Sequence, residues 1–266
     1  MGTLRSVHRT VVAGVFALLL SALVVAAAGP VAGSVGSEPV KVRAVTAPMR
    51  DAAMQLQGIW EARLGHTIMV FGDSITARFN DVSGDELQGY WSMVADRVGA
   101  EPRVHAEGGS GFVNPGLAGC TGHTLGEQLA DPRVQAMVRD AGALLVEGGR
   151  TDTQTCHRGG GYDLIPNKKL RREANRFFSQ LATLRGAADR CTFVLTPWGP
   201  AGLDANRERV TKVVSETAAK HGFTFVDTTG LLTDHTTMED RVHPTVRGNQ
   251  RLADAVLDAG GARSCF

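Results

Sequence analysis

From residue 52 onward the chain alternates short apolar runs with longer amphipathic stretches. The runs TIMVF (67–71), RVHAE (103–107), ALLVE (143–147), TFVLT (192–196) and FTFVD (223–227) have the length of buried strands, and turn residues close each one. Between them apolar positions recur at helical spacing, predicting helices over 90–98, 125–140, 168–184, 205–221 and 244–257. Strands interleaved with helices predict an α/β fold with a five-stranded parallel sheet covered on both faces. Ligands of such open sheets bind beyond the carboxyl ends of the strands. The loops at those ends are GDSIT (72–76), GGSGF (108–112), GGRTD (148–152) and PWGP (197–200), three of them glycine-rich turns that carry polar residues.

The first fifty residues follow another pattern. Arg5, His8 and Arg9 precede an uncharged, mostly apolar run over 11–28 that ends in Ala26-Ala27-Ala28, the order of a secretory signal with cleavage after Ala28. The run has 18 residues, which also reaches the lower limit of a spanning helix, so an uncleaved membrane anchor is the alternative. Residues 29–51, rich in Gly, Pro, Ser and Val, read as a linker, and 52–266 as one catalytic domain. Removing 1–28 takes away Arg5 and Arg9 and no acid, turning 28 Lys+Arg against 27 Asp+Glu into 26 against 27. A chain without a basic surplus is not patterned for nucleic acid, and membrane contact is expected only through an uncleaved anchor.

Ser74 lies at the strand-to-helix turn opened by Gly72, with Asp73 as a turn and helix-cap residue. A serine becomes a nucleophile when a base lies within hydrogen-bond reach. MEDRVHPT (238–245) supplies one: Asp240 precedes His243 by three residues, and Pro244 favours an extended His243 ahead of the last helix. His243 then takes the Ser74 proton while Asp240 orients the imidazole. His105, His123 and His157 lie near the same loops without ligand spacing, so no metal is expected there.

Gly72-Asp73-Ser74 and Asp240-x-x-His243, in this order across a strand and helix succession from Thr67 to Leu257, resemble the blocks of the SGNH, or GDSL-type, esterases and acyl hydrolases. The resemblance implies a flavodoxin-like three-layer α/β/α sandwich, no cofactor, and an oxyanion hole built from the serine N–H, a glycine N–H and an asparagine side chain. The glycine falls at Gly111, with Gly109 as the alternative. The asparagine block, usually Gly-x-Asn-Asp, falls on Gly149-Arg150-Thr151-Asp152, so Thr151 stands where the amide is expected. A threonine hydroxyl donates a single hydrogen bond over a shorter reach. Arg150, Asp152 and Trp198 are candidate substrate contacts.

Cys120, Cys156, Cys191 and Cys265 allow two disulfides in three connectivities, or buried free thiols, in an exported chain. Cys120 and Cys156 follow the second and third strands and become neighbours if both loops build one site, leaving Cys191 to tether Cys265. The expected protein is a secreted or cell-envelope serine esterase that removes short acyl groups, acetyl among them, from a carbohydrate or small molecule. The alternatives are an envelope O-acyltransferase that uses the same triad, and a catalytically weak envelope binding protein.

Overall fold

The computed structural model describes residues 67–81, 89–116, 120–156, 162–186, 191–200, 204–259 and 265. The signal or anchor segment 1–28, the linker 29–51, the domain start near Ala52, and His157 lie outside the described residues. Five strands, β1 (Thr67–Gly72), β2 (Glu101–Ala106), β3 (Ala143–Glu147), β6 (Thr192–Leu195) and β7 (Thr224–Val226), form one sheet in the order β2-β1-β3-β6-β7. All four pairings are parallel. β1 pairs with both β2 and β3, so the chain reverses its winding direction there, and the loops after β1 and β3 open a crevice between them.

Alternation along the strands divides the core into two. Met69, Phe71, Leu144, Val146 and Val194 point to one face, where they pack under Leu125, Val138, Phe177, Phe178 and Val214. Those residues come from α3 (Leu125–Leu129), α4 (Pro132–Asp140), α5 (Asn167–Arg185) and α6 (Ala205–Lys220). Ile68, Val70, Leu145, Phe193 and Leu195 point to the other face, where they meet Ile75, Tyr90, Trp91, Val94, Leu252 and Val256. These belong to α1 (Ser74–Asp81), α2 (Tyr90–Val98) and α7 (Val246–Asp258). The result is a three-layer α/β/α sandwich. Among the described residues no helix is long and apolar enough to cross a membrane.

Two local features depart from the pattern. The helix expected over 125–140 is two helices, because Pro132 has no N–H to continue α3 and begins α4 instead, with Asp131 capping the Arg133 N–H at 2.7 Å. A small antiparallel hairpin, β4 (Gln154–Cys156) with β5 (Tyr162–Leu164), follows a short 3-10 turn at Arg150–Thr153. Its strands have three residues each, too few to announce themselves by alternation.

Candidate active site

β1 ends at Gly72 and α1 begins at Ser74. A Cβ on Gly72 would lie 2.1 Å from Thr76 Oγ1 and 2.9 Å from Glu147 Oε2, so only glycine lets the turn close over β3. Asp73 is fully buried, and its Oδ1 accepts the Ile75 N–H at 2.8 Å, capping the helix. Ser74 is partly exposed at the crevice. Its N–H is among the first of α1 and has no intrahelical acceptor. Its hydroxyl oxygen accepts from Arg150 Nη2 at 3.2 Å.

Beneath Ser74 lies a buried charged cluster. Arg150 Nη2 stands 3.2 Å from Asp73 Oδ2, an ion pair without hydrogen-bond alignment. Glu147, the last residue of β3, is fully buried and accepts the Asp73 N–H at 2.8 Å and the Thr76 hydroxyl at 3.2 Å. Burial pushes the Glu147 carboxyl well above the usual range, the Asp73 charge pushes the same way, and Arg150 opposes. The protonated form of Glu147 is thereby favoured over what a free carboxyl would show. Tyr90, fully buried with its hydroxyl 3.3 Å from Thr76 Oγ1, is likewise raised, first by burial and then by Glu147. Sequence reasoning missed this cluster; its one signal was an acidic residue closing the otherwise apolar run ALLVE.

The loop between β7 and α7 carries the second group. Asp240 Oδ1 accepts the N–H groups of Val242 and His243, each at 2.9 Å, and Oδ2 lies 2.7 Å from His243 Nδ1. Burial of Asp240 works against its charge, but the His243 side chain and these two N–H groups outweigh it and hold the carboxyl at about 2. Thr237 and Pro244 form a bridge that closes the loop, and Thr245 caps α7 through the Gly248 N–H at 3.3 Å. Among the described residues no hydrogen bond joins Ser74 to His243; the Ser74 hydroxyl is held by Arg150.

The loops after β2 and β3 are knitted together. Asp152, expected as a substrate contact, is instead fully buried: its Oδ2 accepts the N–H of Phe112 at 2.7 Å, and its Oδ1 those of Val113 at 2.9 Å and Asn114 at 3.0 Å. Burial nevertheless pushes its carboxyl up to about 6. The Thr151 hydroxyl donates to the Ser110 carbonyl at 2.8 Å, which uses its one hydrogen. The Gly111 N–H donates to the Asn114 carbonyl at 2.9 Å. A Cβ on Gly111 would lie 2.5 Å from Asp152 Oδ1 and 2.6 Å from Thr151 Oγ1, so this glycine permits the two loops to touch. The Thr151 hydroxyl and the Gly111 N–H are thus both engaged within the loops, whereas the partly exposed Gly109, at φ 78°, directs its N–H to no described residue.

Cys120 and Cys156 are joined across the same loops, with Cα atoms 5.9 Å apart, and Cys191 is joined to Cys265 at 5.3 Å. Trp198, another expected substrate contact, is buried, with its indole N–H on Thr211 Oγ1 at 2.7 Å and the Arg207 guanidinium 5.6 Å from its ring centre. It lines a cavity of about 190 Å³ with Gly199, Leu232 and Thr233. His123 pairs with Glu107 at 2.9 Å, and His105 packs edge-on against Phe71.

Solved structures share this fold. A carbohydrate esterase family 2 enzyme with a carbohydrate-binding domain, from Corynascus thermopiles (Myceliophthora fergusii), aligns at TM-score 0.56 and 17% identity over 76% of this chain and 67% of its own. A family two carbohydrate esterase from Clostridium thermocellum, in complex with cellohexaose, aligns at TM-score 0.53 and 18% identity over 73% of this chain and 64% of its own. TesA aligns at TM-score 0.51 and 20% identity over 73% of this chain and 98% of its own. No curated protein sequence matches. The sequence itself matches the GDSL-like lipase/acylhydrolase family over residues 70–251, from the middle of β1 into α7, and the chain therefore belongs to that family of hydrolases.

Proposed function

We propose that this family member is a serine esterase that removes short acyl groups from a carbohydrate or small molecule outside the cytoplasm, with Ser74 as nucleophile, His243 as base and Asp240 as its orienting carboxylate. The observation that carries the reading is the 2.7 Å contact between Asp240 Oδ2 and His243 Nδ1. A carboxylate held at about 2 is ionised at neutral pH and only accepts, so Nδ1 carries the hydrogen and Nε2 keeps its lone pair for a serine proton. Asp73 serves the turn, not the proton transfer. The basic, apolar, small-residue order of 1–28 and two disulfides support an oxidising, extracytoplasmic location. Carbohydrate esterases among the similar folds support the sugar ester.

The steps follow. Ser74 Oγ bonds to the ester carbon while its proton passes to His243 Nε2 and the carbonyl π pair moves onto oxygen. The oxyanion is met by the N–H groups of Ser74 and Gly109. Its collapse breaks the bond to the leaving alcohol, which takes the proton from His243. Water then attacks the acyl-enzyme by the same route in reverse, releasing the acid and restoring Ser74. A chain begun near Gly36 and made in an oxidising compartment is expected to hydrolyse p-nitrophenyl acetate. Ser74→Ala is expected to lower kcat roughly 10⁴-fold or more, with an unchanged circular dichroism spectrum. Equal turnover in the two folded proteins would remove the proposal.

A further inference from the structure

We propose that Arg150 supplies the third oxyanion donor, a cation held on the nucleophile until the tetrahedral adduct forms. The inference rests on the serine esterase reading and deepens it. The resemblance placed an amide donor at Thr151, but the Thr151 hydrogen is committed to the Ser110 carbonyl at 2.8 Å. The neighbouring Gly111 N–H is committed to Asn114. The side chain from this turn that reaches the reacting oxygen is Arg150, with Nη2 3.2 Å from Ser74 Oγ.

Three features fit Arg150 to that role. Its guanidinium is anchored, because Nη2 also stands 3.2 Å from Oδ2 of Asp73, a carboxylate that α1 holds by its cap. It is largely withdrawn from water, at 17% side-chain exposure, with Nε buried and lacking an acceptor. Its charge answers chiefly to Asp73, since burial pushes Glu147 toward its uncharged form. Charge-assisted N–H···O bonds run at about 2.7–2.9 Å, so 3.2 Å on a neutral hydroxyl is a slack contact. In the adduct the oxyanion and Oγ share one carbon, so a donor resting on Oγ lies within reach of both. When the π pair reaches the carbonyl oxygen, the Arg150 N–H moves its hydrogen bond from Oγ to that anion and shortens; no proton leaves the arginine. An interaction stronger in the transition state than in the resting state is the kind that raises kcat. A planar guanidinium can hold Asp73 and the oxyanion together, which a lysine cannot do with the same geometry.

The test compares wild type, Ser74→Ala, Arg150→Ala and Arg150→Lys with p-nitrophenyl acetate, with and without tens of millimolar guanidinium chloride. Arg150→Ala is expected to lose about 10²- to 10³-fold in kcat, the cost of one oxyanion donor, with KM within about threefold of wild type. Guanidinium is expected to restore its turnover at least about tenfold, a rescue that a merely structural counter-ion would not show. Arg150→Lys keeps a cation beside Asp73 and is expected to melt as wild type does while losing at least about tenfold in kcat. If Arg150→Ala does not fold, Arg150→Lys decides alone. The proposal is overturned by a folded Arg150→Ala, or failing that an Arg150→Lys, that keeps kcat within threefold of wild type. It is equally overturned by loss of turnover in Arg150→Ala that guanidinium cannot restore, which makes Arg150 a counter-ion of Asp73. Either result, with turnover abolished by Ser74→Ala, leaves the esterase reading intact. A wild type that neither turns over nor reacts with a serine-directed fluorophosphonate removes that reading and this proposal together.

Discussion

Asp152 gathers three backbone N–H groups of the β2 loop onto one buried carboxylate, so its removal leaves three donors without acceptors. Asp152→Ala is expected to destabilise the protein by about 3 kcal/mol or more, read as a fall in the denaturant midpoint. The same carboxyl gives stability a pH dependence. It titrates at about 6 in the folded chain against a reference of 3.8, so between roughly pH 4 and 6 the folded state keeps a proton that the unfolded state has lost. Stability contributed by Asp152 therefore falls as pH rises through that window. Asp240, held at about 2, acts oppositely: its contribution is present above 3.8 and is lost as pH falls toward 2. Urea unfolding between pH 4 and 6 is expected to show a decline that is shallower in Asp152→Asn. At this scale, contacts within one loop were legible in the sequence, as between Asp240 and His243, three residues apart. The approach of Arg150 to Ser74, and of Glu147 to Asp73, was not. Each joins residues more than seventy positions apart, through the pairing of β1 with β3.

The strands and helices repeat the lesson. All five runs are strands of one parallel sheet: β1, β3 and β6, buried along their length, read as nearly continuous apolar stretches, whereas β2 at the sheet edge is only half-buried and carries Arg103 and His105. The 125–140 pattern shows the limit: apolar spacing continues across Asp131-Pro132, yet the missing N–H ends one helix and the cap starts another. The β1-to-α1 junction is the element on which the candidate site depends most. Gly72→Ala pushes a methyl against Thr76 and Glu147, and both sit on rigid elements. It is expected to cost about 1–3 kcal/mol by overpacking and to lower turnover far more than Tm, measured by melting and p-nitrophenyl acetate hydrolysis side by side.

Across the whole molecule, the two disulfides hold opposite ends of the sheet. Cys120–Cys156 lies among the loops beyond the carboxyl ends, where Cys156 also approaches the Asn114 side chain. Cys191–Cys265 lies at the amino end of β6. They close loops of 36 and 74 residues, each worth about 4 kcal/mol in chain-entropy terms. Replacing Cys120 and Cys156 by serine is expected to lower both Tm and turnover. Replacing Cys191 and Cys265 is expected to lower Tm while sparing turnover in the protein that remains folded. Differential scanning fluorimetry with an activity assay separates the two. The second cross-link also fixes an orientation. Because Cys265 is pinned beside the start of β6, a support coupled at that pole leaves the loops beyond the carboxyl ends of the strands facing outward, away from the surface that holds the protein.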